Sequence, residues 1–426
     1  MDPARADRIY ARQADLLVEI LRRVQATVAD GRPLDSYLSH FYHDHPEFGS
    51  RDRRLFSGTI FSYFRWKGWI DLATSTTEAA CVFANLLESI DIHPAITNLA
   101  IRAGLPNIRL TPMGSFRPRE KVIELSRITG SEYSLSQLVP AWVIPMVGLE
   151  YDPLIEAIQT PPPTWLRMAP PDRDSIMTAL QQQGNEPTAH PFVASALSVP
   201  RGINLLALPR PIRDRLEIQD LASQAIGLIC NPQPGERWWD ACCGSGGKTF
   251  HLAALGGPSA SILATDIRPT ILAELTRRMG EKRLTGITKA VWDGSRQPAP
   301  EGDFDGILLD APCSGTGTWH RNPDARWRTT SEAVTQLIRL QSQLIRACAT
   351  RLKPGGIMVY ATCSVTHDEN ESIITQFLSD SPGFTLAPFI NPLTGNPCDG
   401  RLRINPGETP CNGMFIARLT RTPPHP

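Results

Sequence analysis

From residue 236 onward, short apolar segments alternate with helical stretches, and this alternation constrains the fold more than any other feature of the sequence. The segments predicted to be strands lie at 238–242, 261–267, 288–292, 304–310 and 356–363. Alternating strands and helices typically form a parallel, doubly wound sheet that binds ligands beyond the carboxyl ends of its strands. We therefore predict an α/β, Rossmann-like domain over residues 236–426, with its functional residues at strand ends.

The first part of the chain has a helical pattern instead. Apolar residues recur every three or four positions between residues 5 and 30, and further helices are predicted at 34–42, 51–69 and 96–103. Prolines interrupt the region 106–163. These patterns predict three domains: a helical domain with a proline-rich connector (1–140), a small α/β module (141–235) and the sheet domain (236–426).

Charge and cysteine content narrow the class of protein. The 426 residues include 43 basic and 43 acidic side chains, so net charge does not favour a polyanion-coating role. Nine dispersed cysteines, with Cys242 beside Cys243, suggest reduced thiols instead of a disulfide framework or a metal site. We find neither a secretory signal nor a membrane-length apolar run, and we expect a cytoplasmic protein without a metal.

The glycine-rich segment DACCGSGGKT (240–249) follows a predicted strand and begins a helix, an arrangement typical of a nucleotide-like ligand site. Its end, Gly247-Lys248-Thr249, resembles a Walker A loop, but that loop requires a glycine where this chain has Cys242. A dinucleotide fingerprint would need a third glycine where Thr249 stands. Neither rival fits the whole segment.

Three acidic residues lie at or just beyond the ends of the strands that follow. Asp266 ends the second predicted strand, where a carboxylate can bind ribose hydroxyls; Asp293 follows the third and Asp310 ends the fourth. Each alone could be a helix cap or a solvated carboxylate. The combination of turn and acids favours a ligand site.

Two cysteines also lie at strand ends. Cys313 follows the fourth strand and Cys363 ends the fifth, so both thiols should lie on the ligand side of one sheet. For Cys81, Cys230 and Cys348 we expect only the role of small buried apolar residues.

Two segments near the cysteines allow a structural and a functional interpretation. Thr366 and Glu369 are spaced as a capping box, which leaves open an orienting role for Glu369 or Asn370. Residues 319–328 interleave aromatic and basic side chains, a pattern that favours contact with an extruded base over a plain surface loop.

These motifs resemble the RNA cytosine-5 methyltransferases of the Nol/Nop/Sun family. The resemblance rests on DACCGSGGKT, ATDIRP (264–269), the Asp293 motif, DAPCSGTGTWHRNPD (310–324) and YATCSVTHDENES (360–372). It extends to PPTWLR (162–167), QDLASQ (219–224) and NGMFIA (412–417), the last resembling the family's final, antiparallel strand. Residues 1–105, with GSRDRR (49–54), resemble the helical NusB-like RNA-binding domain of the bacterial type B enzymes for 16S ribosomal RNA.

The resemblance implies a class I methyltransferase fold and S-adenosylmethionine as cofactor. It further implies that Cys363 is the nucleophile and that Cys313 helps to release product, whereas DNA enzymes use the proline-cysteine motif. The implied cofactor site comprises Cys242, Cys243, Gly244, Ser245, Gly246, Gly247, Lys248, Asp266, Asp293 and Asp310. The family usually has alanine, alanine and proline in place of Cys243, Gly244 and Ser245, and Asp-Gly in place of Asn412-Gly413.

We expect the substrate to be 16S ribosomal RNA and the protein to act as a monomer, without a membrane partner. Two alternatives stay open at this point. The chain could methylate transfer RNA, or it could be a non-catalytic RNA-binding factor of ribosome assembly.

Overall fold

The structure, a computed structural model, describes residues 3–105, 111–147, 151–294 and 298–423. Its α-helices, α1 to α16 in chain order, are Pro3–Ala29, Leu34–Asp44, Ser50–Ala73, Thr77–Glu88, Pro94–Arg102, Pro118–Thr129, Val143–Val147, Tyr151–Ala157, Arg173–Gln182, Arg210–Arg213, Leu221–Cys230, Gly247–Gly256, Pro269–Lys282, Ala325–Arg328, Ser331–Ala349 and Glu371–Asp380. Short 3-10 helices occupy Leu135–Leu138, Pro170–Asp172, Leu205–Ala207 and Thr316–Thr318.

The strands divide among three sheets. Strands β1 to β14, in chain order, are Thr164–Arg167, Thr188–Ala189, Ala196–Val199, Glu217–Ile218, Arg237–Asp240, Ser261–Asp266, Ile287–Val291, Phe304–Asp310, Leu352–Thr362, Phe384–Leu386, Phe389–Ile390, Pro397–Cys398, Arg401–Ile404 and Met414–Arg421.

The chain forms two compact units. The helical unit contains Met1–Pro161 together with Trp319–Ser331, and the sheet unit contains Pro162–Thr318 and Glu332–Pro426. The predicted boundaries at residues 140 and 235 stay a prediction. The start of the predicted connector, 106–110, lies outside the described residues.

The helical unit is organised around the apolar stripe of α1. The stripe consists of one partly buried residue, Tyr10, which packs at the edge of the core, and five buried ones: Ala14, Leu17, Leu21, Val24 and Val28. Burying one apolar face in this way provides most of the stability of a surface helix. Helix α4, which periodicity did not predict, is buried along nearly its whole length.

Residues 319–331 belong to the core of the helical unit although they follow the Cys313 loop in sequence. Trp319 is part of that core, and Ala325 and Trp327 pack against it. The N–H of Leu34, at the start of α2, donates to the Asp324 carboxylate at 3.1 Å. This segment therefore completes the packing of the helical unit.

A small antiparallel sheet opens the sheet unit. Its strand order is β2-β3-β1-β4, and α9 packs its apolar residues Ile176 and Leu180 into the same cluster as Leu166 and Leu197. This is the small α/β element expected from the sequence before residue 236.

The large sheet has the predicted doubly wound topology. Its order is β10-β14-β9-β8-β5-β6-β7, and β9, β8, β5, β6 and β7 pair in parallel. Strand β14 runs antiparallel to β9, with Phe415 opposite Thr362. The predicted class I methyltransferase fold is thus confirmed, and the carboxyl ends of the parallel strands lie along one edge.

Among the described helices, none combines the length and the apolar character that a bilayer crossing requires.

Candidate active site

The two predicted cysteines meet at the carboxyl ends of neighbouring parallel strands. Cys363 directly follows β9, and Cys313 lies three residues beyond the end of β8. Their Sγ atoms are 3.4 Å apart. Strand pairing therefore brings together two thiols that are fifty positions apart in the sequence.

Backbone contacts hold the two cysteine loops against each other. The N–H of Gly317 donates to the carbonyl oxygen of Cys363 at 2.9 Å, and the N–H of Gly413 donates to that of Gly317 at 2.8 Å. A Cβ atom on Gly317 would lie 2.3 Å from the carbonyl oxygen of Gly413. Only glycine permits this approach.

An ion pair lies beside the thiols. Lys248 Nζ is 2.7 Å from Asp310 Oδ2, and both side chains are largely buried. Burial opposes the charge on Lys248, but the Asp310 carboxylate, helped by the Cys363 sulfur, raises the pKa of the lysine above its ordinary value. The lysine is therefore a fixed positive charge near Cys363.

Cys313 lies in a different electrostatic environment. Its hydrogen bond with the Cys363 sulfur, its burial and the nearby Glu369 carboxylate all raise the pKa of Cys313 well above that of a free thiol. This environment favours the protonated form of the Cys313 thiol.

The glycine-rich turn lies between β5 and α12. Gly244 and Gly246 have φ angles of 52° and 90°, in the left-handed region that favours glycine. The N–H of Cys243 donates to the carbonyl oxygen of Thr265, and the N–H of Gly244 donates to the Asp266 carboxylate at 3.1 Å. These bonds fix the turn to the end of β6.

Asp266 and Asp293 lie where the sequence predicted. Burial works to raise the pKa of Asp266, but hydrogen bonds from Arg268 and Gly244 outweigh it and lower the pKa, so this carboxylate stays charged. Asp293 is half-buried, two residues beyond the end of β7. With Asp310, the three carboxylates follow three parallel strands.

Comparison with known proteins identifies the family. A family model described as 16S rRNA methyltransferase RsmB/F matches residues 227–420. Ribosomal RNA small subunit methyltransferase B of Citrobacter koseri is 34% identical over 304 residues, 68% of this chain and 69% of that protein. The chain belongs to the RsmB/F family.

Solved structures are similar over most of the chain. The crystal structure of PH0851 superposes with a TM-score of 0.75 at 22% identity and covers 96% of this chain and 99% of its own. A methyltransferase homologue from Pyrococcus horikoshii has a TM-score of 0.55 at 25% identity and covers 65% of this chain and 92% of its own. The first of these likenesses supports the fold alone.

Family membership confirms the predicted class of enzyme, an RNA methyltransferase that uses S-adenosylmethionine. The turn is suited to that cofactor, because a Cβ atom on Gly244 or Gly247 would meet no atom within 4 Å. Open space beside a glycine backbone allows a ligand to approach the amides closely.

The upstream motifs of the family converge on this turn. Arg167 donates to the side-chain oxygen of Gln219 at 2.5 Å, and the amide of Gln219 donates to the carbonyl oxygen of Gly247 at 3.4 Å. Asp220 caps α11 through Ala222 and also accepts the N–H of Asn412 at 3.0 Å. Hydrogen bonds thus connect the three motifs, at 162–167, 219–224 and 412–417, to one another, and Gln219 connects them to the turn.

The interpretation of residues 319–328 as an RNA-contacting loop is wrong for Trp319 and Arg326, which are buried. Trp319 is 1% exposed and Arg326 is 0% exposed. Arg326 donates to the carbonyl oxygens of Leu138 at 2.9 Å and Ile158 at 3.4 Å. A guanidinium held by backbone carbonyls inside a core cannot contact phosphate.

The predicted capping box is also wrong. Helix α16 begins at Glu371 with Asn370 at the N-cap, so Thr366 and Glu369 precede it. Glu369 is 0% exposed, and its carboxylate bonds to Ser314 and Ser364. Buried hydroxyl and N–H groups require hydrogen-bond acceptors, and the Glu369 carboxylate serves as that acceptor here instead of capping the helix.

Sequence reasoning missed one ionisable residue, Asp240. It is fully buried at the end of β5, where Thr249 donates to its Oδ2 at 2.6 Å and its Oδ1 has no partner among the described residues. Burial, aided by Asp310, raises the pKa of Asp240 to about 7. Its position directly before the glycine-rich turn was the available signal.

The predicted core cysteines are confirmed: Cys81, Cys230 and Cys348 are all buried. Across the described ranges, no group of three or more histidine, cysteine, aspartate or glutamate side chains is arranged to hold a metal ion.

Proposed function

We propose that this enzyme methylates carbon 5 of a cytosine in 16S ribosomal RNA through a covalent bond between Cys363 and carbon 6 of the base. The observation that carries the proposal is the pair of thiols, 3.4 Å apart, at the ends of two adjacent parallel strands. Carbon 5 of cytosine is a poor nucleophile, and addition of a thiolate at carbon 6 makes it electron-rich.

Cys363 is the nucleophile in this proposal. Its sulfur lies near the positive charge of Lys248, and the thiolate is the reactive form of cysteine. When bound, S-adenosylmethionine supplies an electrophilic methyl group carried on a sulfonium sulfur. Addition of the Cys363 sulfur to carbon 6 prepares carbon 5 to accept that group. Loss of the carbon 5 proton to solvent water then restores the double bond between carbons 5 and 6, and the electron pair of the carbon–sulfur bond returns to Cys363.

Cys313 assists the release of the product. Because it retains its proton, its thiol can donate a hydrogen bond to the Cys363 sulfur as the bond to carbon 6 breaks and the electron pair returns to that sulfur. A protonated neighbour at this distance stabilises the departing thiolate.

The turn and the strand-end acids hold the cofactor. The backbone from Cys242 through Cys243, Gly244, Ser245, Gly246 and Gly247 to Lys248 lines one side, and Asp266, Asp293 and Asp310 follow the next three strands in chain order. Asp266 is suited to the ribose hydroxyls, because it is charged and lies at a strand end.

The RNA class follows from family membership and from the matched relative's name. We place the enzyme in the cytoplasm, where reducing conditions prevent disulfide formation, in line with nine cysteines that form no disulfide among the described residues. We propose that it acts as a monomer, which light scattering of the purified protein would test.

The substrate experiment uses labelled S-adenosylmethionine with separate pools of unmodified 16S ribosomal RNA and transfer RNA. Digestion should yield labelled 5-methylcytidine from ribosomal RNA only. Label in transfer RNA alone would retain the chemistry and change the substrate. Cofactor binding without label in either pool would favour a non-catalytic assembly factor.

The roles of the two cysteines are separable by mutation. Cys363→Ala should abolish both methylation and the covalent adduct, whereas Cys313→Ala should accumulate a protein–RNA adduct visible as a slow band on denaturing gels. Cys398→Ser, a half-buried thiol on β12, is the matched control and should behave as wild type. An adduct in the Cys363 variant would reverse the two assignments.

A further inference from the structure

Glu369 is a fully buried carboxylate surrounded by neutral donors. Its Oε1 accepts the N–H of Ser314 at 2.8 Å and the amide of Gln341 at 3.0 Å. Its Oε2 accepts hydroxyls from Ser314 at 2.5 Å, Ser364 at 2.6 Å and Thr366 at 2.9 Å. Five donated hydrogen bonds therefore satisfy both oxygens of this buried carboxyl group.

The donors come from both cysteine loops. Ser314 directly follows Cys313, and Ser364 directly follows Cys363. One carboxylate therefore joins the two loops through the residues next to each thiol. Gln341, from α15, reinforces the same point, because its amide also donates to the carbonyl oxygen of Pro312 at 2.9 Å.

The main chain around Glu369 is fixed as well. The hydroxyl of Tyr360, in β9, donates to the carbonyl oxygen of Glu369 at 2.6 Å. Asn370 accepts the hydroxyl of Thr362 at 2.5 Å and donates to the carbonyl oxygen of Ser364 at 3.0 Å. The carboxylate is thus held in place from both sides.

Charge is distributed unevenly around the two sulfurs. The negative charge of Glu369 acts on Cys313, and the positive charge of Lys248 lies near Cys363. A negative charge disfavours a second anion next to it, and a positive charge favours one.

We propose that Glu369 is the positioning residue of this active site, where its carboxylate locks the two cysteine loops together and places a negative charge on the Cys313 side of the thiol pair. The inference rests on the proposed cysteine chemistry and extends it to the division of labour between the thiols. Glu369 acts through Cys313 and does not touch the base.

The variant to test is Glu369→Gln, which keeps the shape of the side chain and removes its charge. Asp305→Asn is the matched control, since the Asp305 carboxylate, like that of Glu369, accepts a backbone N–H; its other partner is Lys353, and it lies near the start of β8, at the end away from the Cys313 loop. Thermal unfolding should show that both variants are folded.

The first measurement needs neither RNA nor cofactor. Iodoacetamide alkylation of Cys313, followed by peptide mass spectrometry across a pH series, reports the pH at which this thiol ionises. In Glu369→Gln we expect the profile of Cys313 to move to lower pH by about one unit, because a like charge has been removed. Asp305→Asn should leave the profile in place.

The second measurement uses RNA and labelled cofactor. Glu369→Gln should behave as a partial Cys313→Ala variant, with turnover about tenfold lower and a covalent adduct that accumulates. If Cys313→Ala traps an adduct but Glu369→Gln turns over normally with an unshifted profile, Glu369 has only a structural role. If Cys313→Ala traps none, the proposed function itself fails.

Should Glu369→Gln not fold, Ser314→Ala offers a milder test. It removes one of the five donors and leaves the carboxylate in place. A smaller rise in adduct, with normal binding of RNA, would support the proposal. Loss of methylation without any adduct, in a folded variant, would overturn it.

Discussion

Each unit contains a fully buried ionisable side chain held by neutral groups, Arg326 in the helical unit and Glu369 in the sheet unit. Arg326 is bound by backbone carbonyl oxygens and by Gln159. Glu369 is bound by hydroxyl, amide and backbone N–H donors. The two sites therefore share the same kind of stabilisation with opposite roles: acceptors surround the basic Arg326, and donors surround the acidic Glu369.

The two sites differ in what they hold. Arg326 fixes a chain segment to helices, whereas Glu369 fixes two loops that each carry a thiol. Burial and hydrogen-bond satisfaction alone therefore identify a network and do not identify a function. The role of such a network depends on what its hydrogen bonds hold in place: helices in the case of Arg326, and the two thiol-bearing loops in the case of Glu369.

The largest effect is expected on stability, when the buried guanidinium of Arg326 is removed. Arg326→Met leaves several carbonyl oxygens buried without a donor, and we expect a loss of about 3–5 kcal/mol in the free energy of unfolding. Urea denaturation would measure it. Arg22→Met, which removes an exposed ion pair with Glu78 and a long hydrogen bond to Thr77, should cost less than about 1 kcal/mol.

The alkylation profile of Cys313 separates the two buried groups further. It should be unchanged in folded Arg326→Met and shifted in Glu369→Gln. A shift of equal size in both variants would remove the distinction between the two networks.

A second variant breaks the geometry of the thiols without changing any charge. Gly317→Ala places a methyl group against the carbonyl oxygen of Gly413, so the Cys313 loop must move. A displacement of this kind at a reacting centre lowers turnover by about a hundredfold. Steady-state methylation would measure it, with Gly280→Ala in α13, whose Cβ would face open space, as the control.

Asp240 is a buried carboxyl group with far fewer hydrogen-bond donors than Glu369. Asp240 accepts one hydrogen bond, from Thr249, and its pKa is raised to about 7 from an ordinary value of 3.8. Its protonated form therefore contributes stability that is complete below about pH 4 and is lost as the pH rises through 7. Between pH 5 and pH 8 this loss is about 2 kcal/mol.

Chemical denaturation at several pH values tests this directly. Asp240→Asn mimics the protonated carboxyl, so the difference in stability between variant and wild type should grow in favour of the variant as the pH rises. A difference that stays constant from pH 5 to pH 8 would show that Asp240 is ionised throughout.

The sequence was sufficient for the features that depend on local pattern. Alternation of strands and helices predicted the doubly wound sheet, and the positions of Cys313, Cys363 and the acids at strand ends followed from the rule that parallel strands share an edge. The stripe of α1 was predicted for the same reason, because a periodicity is contained within one element.

Features that depend on distant partners were not predictable in this way. Thr366 and Glu369 have the spacing of a capping box, but the Glu369 side chain is buried and accepts a hydrogen bond from Ser314, fifty-five positions away. Arg326 lies in a segment with the composition of a nucleic-acid contact, yet it donates its hydrogen bonds to the carbonyl oxygens of Leu138 and Ile158. A single sequence does not show which remote carbonyls or hydroxyls will surround a charged side chain.

The inclusion of residues 319–331 in the helical core has a consequence for protein synthesis. The helices up to residue 161 leave the ribosome without Trp319, so the apolar surface that this side chain covers stays open until translation passes residue 331. At typical rates of elongation this interval lasts roughly 10–30 s. The N-terminal helices therefore expose this apolar surface during that interval, and their core is complete only after the segment that follows the Cys313 loop has been synthesised.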